Sequence, residues 1–89
     1  MNVSELRAML DGLPDDTEVL TSAYEAGFTP ASAFATEVQQ LDRGFATWLG
    51  QYELTAEAVR LCAQTDAPEG VPVPIGEPVH ALLIYRSGR

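Results

Sequence analysis

Residues 2–28, NVSELRAMLDGLPDDTEVLTSAYEAGF, predict a helix, an acidic turn, a strand and an aromatic loop in immediate succession. Asn2 is a favourable helix N-cap, and Glu5 stands three residues further on, where its side chain can reach back to the N–H of the cap. Apolar residues then recur at helical spacing, at Val3, Leu6, Met9, Leu10 and Leu13. We therefore expect a short amphipathic helix that lies on a core.

An acidic turn is predicted directly after this helix. Gly12 favours helix termination, and Pro14 cannot continue the helix. Asp15 and Asp16 are typical turn residues because their side chains hydrogen-bond to nearby backbone amides. A cation site at this turn would need further oxygen ligands converging on the same point.

A strand and an aromatic loop complete the opening segment. Thr17 to Ala23 alternates and is rich in β-forming residues, which predicts a strand. The loop from residue 24 to residue 30 places Tyr24 and Phe28 around Gly27, whose conformational freedom permits a tight turn. The two rings either anchor the loop to its own core, which we favour, or form the rim of a binding site. Tyr24, Glu25 and Phe28 are therefore candidate partner-binding residues.

Three short motifs in this segment carry a resemblance to a known group of proteins. The order Val-x-Glu-Leu, Leu-Pro-x-Asp-x-x-Val and Tyr-Glu-x-Gly-Phe resembles the start of small uncharacterised bacteriophage and prophage proteins with a YEGGF-like loop. The matching residues are Val3, Glu5, Leu6, Leu13, Pro14, Asp16, Val19, Tyr24, Glu25, Gly27 and Phe28. Ala26 stands where that loop has another glycine next to Gly27. The resemblance implies an accessory protein of a mobile element that acts on host machinery, and it transfers no catalytic residue.

Length and composition predict one small cytoplasmic domain over residues 1–89. A chain of 89 residues supports only a modest core, so we expect a homo-oligomer. The 46% hydrophobic content argues against disorder, and no apolar run approaches the ~20 residues of a membrane span. The amino terminus lacks the features of a signal peptide. A single cysteine, Cys62, allows no intrachain disulfide and agrees with the cytoplasm of a host cell.

The charge balance narrows the range of partners. Thirteen acidic residues face five basic ones, all arginine, for a net charge of −8. Nonspecific nucleic-acid binding depends on basic side chains that neutralise phosphates, so direct DNA or RNA binding is not expected. The carboxylates either serve solubility or form an acidic face complementary to a basic partner.

The middle of the chain is expected to contribute a hairpin. Ala33 to Leu41 alternates as a half-exposed strand does, Asp42-Arg43-Gly44 is a turn signal, and Phe45 to Leu54 supplies the returning strand. Thr55 to Gln64 fits a helix capped by Thr55, although it also fits a strand, and we favour the helix.

The last third combines a proline-rich connection with a final strand. Residues 66–78, DAPEGVPVPIGEP, are too rich in proline and glycine for regular structure over their length, so we expect an extended surface crossing. Val79 to Arg86 is dense in β-forming and apolar residues, which predicts a central or well-covered strand followed by a short polar tail.

One aromatic pair is the best candidate for a small-ligand feature. On a strand through residues 45–54, Trp48 and Tyr52 share a face and flank Gly50. Such rings usually belong to a covered face, but they also suit a stacking platform for a base. Because Arg43 and Arg60 are close in sequence, the four residues form a candidate nucleotide site.

Catalytic, metal and cofactor chemistry is not indicated. His80 is the only histidine, and its place between apolar strand residues predicts a surface or strand-edge position. No basic cluster adjoins Cys62 in the sequence, so it is best interpreted as a small apolar residue. One histidine and one cysteine cannot form a standard zinc site, and no glycine spacing matches a phosphate-binding loop. We predict no enzyme activity, no metal and no cofactor.

These observations predict a single small α+β domain with about four mainly antiparallel strands and one or two helices on one sheet face. The predicted function is a nonenzymatic phage or prophage accessory protein that inhibits a host defence or regulatory protein through an acidic surface. The alternative is an oligomer that sequesters a small nucleotide immune signal.

Overall fold

A computed structural model describes residues 1–68 and 70–87, and it contains two helices and four strands. Glu69 and the last two residues of the predicted polar tail lie outside this description. The elements, in chain order, are α1 (Val3–Leu10), β1 (Leu20–Ser22), β2 (Phe28–Asp42), β3 (Tyr52–Leu54), α2 (Thr55–Cys62) and β4 (Val73–Arg86). The predicted α+β class with an antiparallel four-stranded sheet is confirmed.

Strand β2 organises the sheet because each of the other described strands pairs with it. β1 pairs antiparallel with the first residues of β2, with Thr21 opposite Thr29. β3 pairs antiparallel with the last part of β2, with Glu53 opposite Gln39. β4 also pairs with β2. β2 and β4 are thus long strands of nearly equal length, and β1 and β3 are three-residue partners of β2.

The chain divides into two compact units. The terminal unit comprises Met1–Phe34 and Leu82–Arg89, and the central unit comprises Ala35–Ala81. All buried residues in the described part of the chain belong to the central unit. They are Val38, Gln39, Leu41, Ala46, Ala58 and Pro72.

Helix α1 has the predicted cap but not the predicted environment. The side chain of Asn2 accepts a hydrogen bond from the backbone N–H of Glu5 at 2.8 Å, as the capping pattern indicates. None of its residues is buried, and Met9 is 61% exposed. The prediction that this helix lies on a core is wrong. Periodicity identifies which face is apolar, but it does not supply an element to cover that face.

The strands differ in length from the sequence prediction. β1 is shorter than the predicted strand over 17–23, and β2 begins at Phe28 rather than at Ala33. The predicted strand from Phe45 is wrong except for its last three residues. The predicted turn at residues 42–44 is present, because the N–H of Gly44 donates to Asp42 Oδ1 at 2.8 Å and Gly44 has a φ of +60°. Backbone bonds from Ala46 to Arg43 and from Leu49 to Ala46 then keep the chain in turns.

Two predictions about the stretch that forms β4 are wrong. It begins at Val73, so the prediction of irregular structure up to Pro78 is wrong for residues 73–78. Prolines are tolerated in a strand with one unpaired edge, and β4 pairs only with β2 among the described strands. Its residues are mostly exposed, so the prediction of a central or well-covered strand is also wrong.

Helix α2 confirms the helical interpretation of residues 55–64 and contacts β3. Its N-cap is Leu54, which provides no side-chain hydrogen bond. The prediction that Thr55 caps the helix is therefore wrong. Thr55 Oγ1 is instead buried without a hydrogen-bond partner in the described chain.

Candidate partner-binding surface

The loop between β1 and β2 is the most exposed of the sequence-predicted sites. The N–H of Ala23 donates to Gly27 O at 3.1 Å and closes the loop, and Gly27 has a φ of +75° that favours glycine. The side chain of Tyr24 is 82% exposed and that of Phe28 is 77% exposed. The interpretation that these rings anchor the loop to its own core is wrong.

One of the two rings has a cationic neighbour. The guanidinium carbon of Arg86 lies 5.3 Å from the centre of the Tyr24 ring. Such a contact at an exposed site contributes on the order of 0.5–1 kcal/mol. It fixes one side of Tyr24 and leaves the ring accessible. Sequence reasoning missed this contact because the two residues are far apart in the chain.

The terminal unit, to which this loop belongs, also contains several exposed carboxylates. The predicted turn is present, because the N–H of Thr17 donates to Pro14 O at 3.1 Å across Asp15 and Asp16. Every described carboxylate of the unit is exposed, and none forms an ion pair with another residue in 1–68 or 70–87. They are Glu5, Asp11, Asp15, Asp16, Glu18 and Glu25. We call Asp15, Asp16, Glu18, Tyr24, Glu25 and Phe28 the acidic-aromatic surface.

The proposed nucleotide site is assembled differently from the prediction. Trp48 lies in the turns before β3 and not on a strand with Tyr52. The ring of Trp48 packs edge-on against that of Phe45, with centroids 6.0 Å apart, and Trp48 is 68% exposed. The expected strand with two rings flanking Gly50 is absent, and the covered-face interpretation of Trp48 is wrong as well. Phe45 is an exposed aromatic that the sequence interpretation did not single out.

Both arginines of that proposed site are bound within the chain. Arg43 Nε donates to Gly50 O at 3.0 Å, and its Nη2 lies 3.7 Å from Glu53 Oε2. Arg60 forms an ion pair with Glu57 one helical turn away. The hydrogen bonds that Arg60 donates to the Glu57 carboxylate, together with its positive charge, lower the pKa of that carboxyl. Neither guanidinium is placed beside the Trp48 ring by any contact that the structure describes.

A separate cavity of about 440 Å³ lies in the central unit. Its walls include Ala58, Val59, Cys62 and Ala63 of α2 and Pro74 and Pro78 of β4. Gln39 closes one side, and its amide nitrogen donates to Ile75 O at 3.0 Å and to Gly76 O at 3.1 Å. These bonds hold β2 and β4 together near Gly76, so Gln39 is a structural residue.

The residues considered for catalysis or metal binding remain apart. Cys62 is a half-buried free thiol, and His80 is exposed, as its strand position predicted. Within the ranges that the structure describes, no group of three or more His, Cys, Asp and Glu side chains is arranged to hold a metal ion. Neither helix in those ranges is long and apolar enough to span a bilayer.

Comparison of the chain with models of protein families, with curated proteins and with solved structures found no match. The resemblance to phage and prophage proteins in the first third of the chain therefore stays a prediction from its three motifs.

Proposed function

We propose that this chain is a nonenzymatic accessory protein that binds another protein through the acidic-aromatic surface. The observation that carries the proposal is the exposure of Tyr24 and Phe28 in a unit whose exposed carboxylates no described arginine neutralises. Exposed aromatic rings supply apolar contact area in protein interfaces, and they are enriched there. Unpaired carboxylates select a basic surface and accelerate encounter with it.

The resemblance to phage and prophage proteins suggests that the bound protein belongs to the host. An accessory protein of a mobile element that binds a basic host surface would inhibit a host defence or regulatory protein by occupying that surface. The proposal includes a location in the host cytoplasm, where such partners occur. It requires no cofactor and no reaction at the surface.

The alternative proposal, an oligomer that sequesters a small nucleotide, receives less support from the contacts. Arg43 and Arg60 already lie next to Glu53 and Glu57, whose negative charges oppose the binding of a phosphate there. The exposed ring pair Phe45 and Trp48 is the feature in its favour, because bases stack on such rings.

Affinity capture with matched phenylalanine variants tests the main proposal. The full chain, Phe28→Ser and Phe45→Ser are immobilised and exposed to bacterial lysate. Phe28 and Phe45 are both strongly exposed, at 77% and 66%, so both variants should keep the fold. We expect a protein that the natural chain and Phe45→Ser retain, that Phe28→Ser loses, and that elutes as the salt concentration rises.

Two outcomes would overturn the proposal. One is repeated capture in which no protein is retained by the natural chain. The other is a retained protein whose binding survives both Phe28→Ser and replacement of Asp15, Asp16 and Glu18 by their amides. Retention of a nucleotide by the natural chain in native mass spectrometry, lost in Trp48→Ala, would support the alternative.

A further inference from the structure

The carboxyl-terminal half of β4 presents an unpaired backbone edge. The N–H of Ser87 donates to Pro30 O at 2.9 Å, so odd-numbered residues at this end direct their backbone groups toward β2. Because backbone groups alternate along a strand, those of Leu82, Ile84 and Arg86 point to the opposite edge. No strand in residues 1–68 or 70–87 pairs with that edge.

The edge is protected at one end of β4 and unprotected at the other. Pro74, Pro78 and Gly76, which has a φ of +65°, interrupt regular pairing in the first part of the strand. From residue 79 to residue 86 the sequence is VHALLIYR, without proline, glycine or lysine. Soluble proteins normally block long apolar edges with such residues, or they pair the edge with another strand.

Apolar side chains are exposed on both faces of this stretch. Leu82 is 44% exposed and Ile84 is 47% exposed on one face, and Tyr85 on the other face is 46% exposed. Phe34 packs edge-on against Tyr85, with ring centroids 5.6 Å apart, and adds to the second face. A strand that is apolar on both faces is typical of the interior of a sheet.

Charge indicates which partner can approach this edge. Two chains of net charge −8 repel each other over most of their surfaces. β4 is an exception, because its only ionised side chains are one carboxylate, Glu77, and one guanidinium, Arg86. The nearly neutral strand is therefore a surface on which two copies of the chain can meet.

We infer that the stretch Leu82–Arg86 of β4 pairs antiparallel with the same stretch of a second copy and forms a closed dimer. A strand placed antiparallel to its own copy offers each unpaired N–H to an identical unpaired C=O, so the edge is self-complementary about a two-fold axis. Pairing uses the exposed edge in both copies, and the sheet continues from one copy into the other. The inference concerns a different surface from the acidic-aromatic one and does not depend on the proposed function.

Two substitutions at one position separate backbone pairing from side-chain packing. Ile84→Pro removes an N–H that the alternation of the strand directs away from β2, whereas Ile84→Ala keeps the N–H and removes most of the side chain. In sedimentation velocity across a concentration series, we expect the natural chain and Ile84→Ala to be dimeric and Ile84→Pro to have half that mass. Circular dichroism checks that each variant keeps its strand content.

Amide hydrogen exchange of the natural chain provides a readout that needs no variant. We expect slow exchange at Leu82 and Ile84, whose amides face the edge, at concentrations where the dimer forms. A monomeric natural chain would overturn the inference. So would fast exchange at those amides, equal loss of the dimer in both variants, or assemblies that grow without limit as the concentration rises.

Discussion

Different forces stabilise the central unit and the terminal unit of this chain, each within itself. The central unit contains Val38 and Leu41, which are 3% and 2% exposed, and further buried residues beside them. The terminal unit contains no buried residue in its described part, and its contacts are strand pairing, the helix cap and a few side-chain contacts. Burial of apolar surface is the dominant stabilising term in folding, so the terminal unit, whose apolar residues are at most half-buried, has less of this stabilisation than the central unit.

Apolar residues thus have two roles in this chain: some form a core, and others remain exposed and can contact a partner. In the central unit the chain itself removes Val38, Leu41 and a few smaller apolar residues from water, although Phe45, Trp48 and Val59 of that unit stay exposed. In the terminal unit, residues such as Leu10, Leu20 and Phe28 are about half exposed or more. A partner protein and a second copy of the chain are the two means of covering such surface that we propose.

Identical substitutions in the two units give the largest expected contrast. Leu41→Ala should lower the free energy of unfolding by about 3 kcal/mol, because it leaves a cavity in the core. Leu10→Ala, at a side chain 48% exposed, should cost less than about 1 kcal/mol. Urea unfolding of both variants and the natural chain measures the difference. Equal costs would show that the terminal unit is covered as thoroughly as the central one.

A second substitution tests the polar part of the central core. Gln39→Ala removes side-chain hydrogen bonds to Gln40 O, Ile75 O and Gly76 O. We expect a loss of about 2 kcal/mol, because the hydrogen bonds of a buried side chain that joins β2 to β4 are removed. The control is Gln51→Ala, at an exposed glutamine, which should unfold at nearly the natural urea concentration. Similar midpoints for Gln39→Ala and the natural chain would contradict the structural role of Gln39.

A substitution at Thr55 should act in the opposite direction. Its hydroxyl is buried without a partner in the described chain, so Thr55→Val should raise the free energy of unfolding by about 1 kcal/mol. Thr65→Val, at an exposed threonine, serves as the matched control and should change little. Thermal unfolding followed by circular dichroism distinguishes the two. A destabilised Thr55→Val protein would indicate that the hydroxyl does have a partner.

The smallest expected effect depends on pH. Arg60 lowers the pKa of Glu57 below its ordinary 4.5, so the pair stabilises the folded state above that pH, and the gain is lost as the pH falls through the lowered pKa. The pair is exposed, and the contribution is correspondingly small. Arg60→Met should therefore reduce the melting temperature slightly at neutral pH and not at all in strong acid.

Arg7→Met is the control from the terminal unit. Arg7 is exposed and forms no ion pair with the described residues, so its replacement should give no such pH dependence. If the effect of Arg7→Met on the melting temperature changed with pH, Arg7 would also form a stabilising ion pair, and the two units would not differ in this respect.

Local signals in the sequence identified much of the secondary structure. The Asn2 cap, the turns at residues 14–17 and 42–44, and the helix from Thr55 all follow from short-range chemistry and are present. The prediction of a strand over residues 45–54 is wrong for most of its length, because alternation alone cannot distinguish a strand from successive turns. The strand from Val73 does not follow from the sequence, because prolines are compatible with a strand only where one edge is unpaired, and only the sheet topology shows that edge.

The candidate site divides in the same way. The sequence singled out Tyr24, Glu25 and Phe28, but their exposure had to come from the fold. The grouping of Arg43 and Arg60 with Trp48 and Tyr52 rested on proximity in sequence, and the structure gives both arginines carboxylate partners instead. Ion pairs depend on side-chain geometry, which spacing along the chain does not fix.

By itself, the sequence determined the α+β class, the positions of caps and turns, and the excess of negative charge, because each depends on residues that are close in the chain or on composition. Only the tertiary structure decided which apolar residues are buried, that β2 is the strand with which the others pair, and that one edge of β4 has no described partner. These properties depend on contacts between distant residues. A periodic apolar face is the same in sequence whether the fold covers it or leaves it exposed.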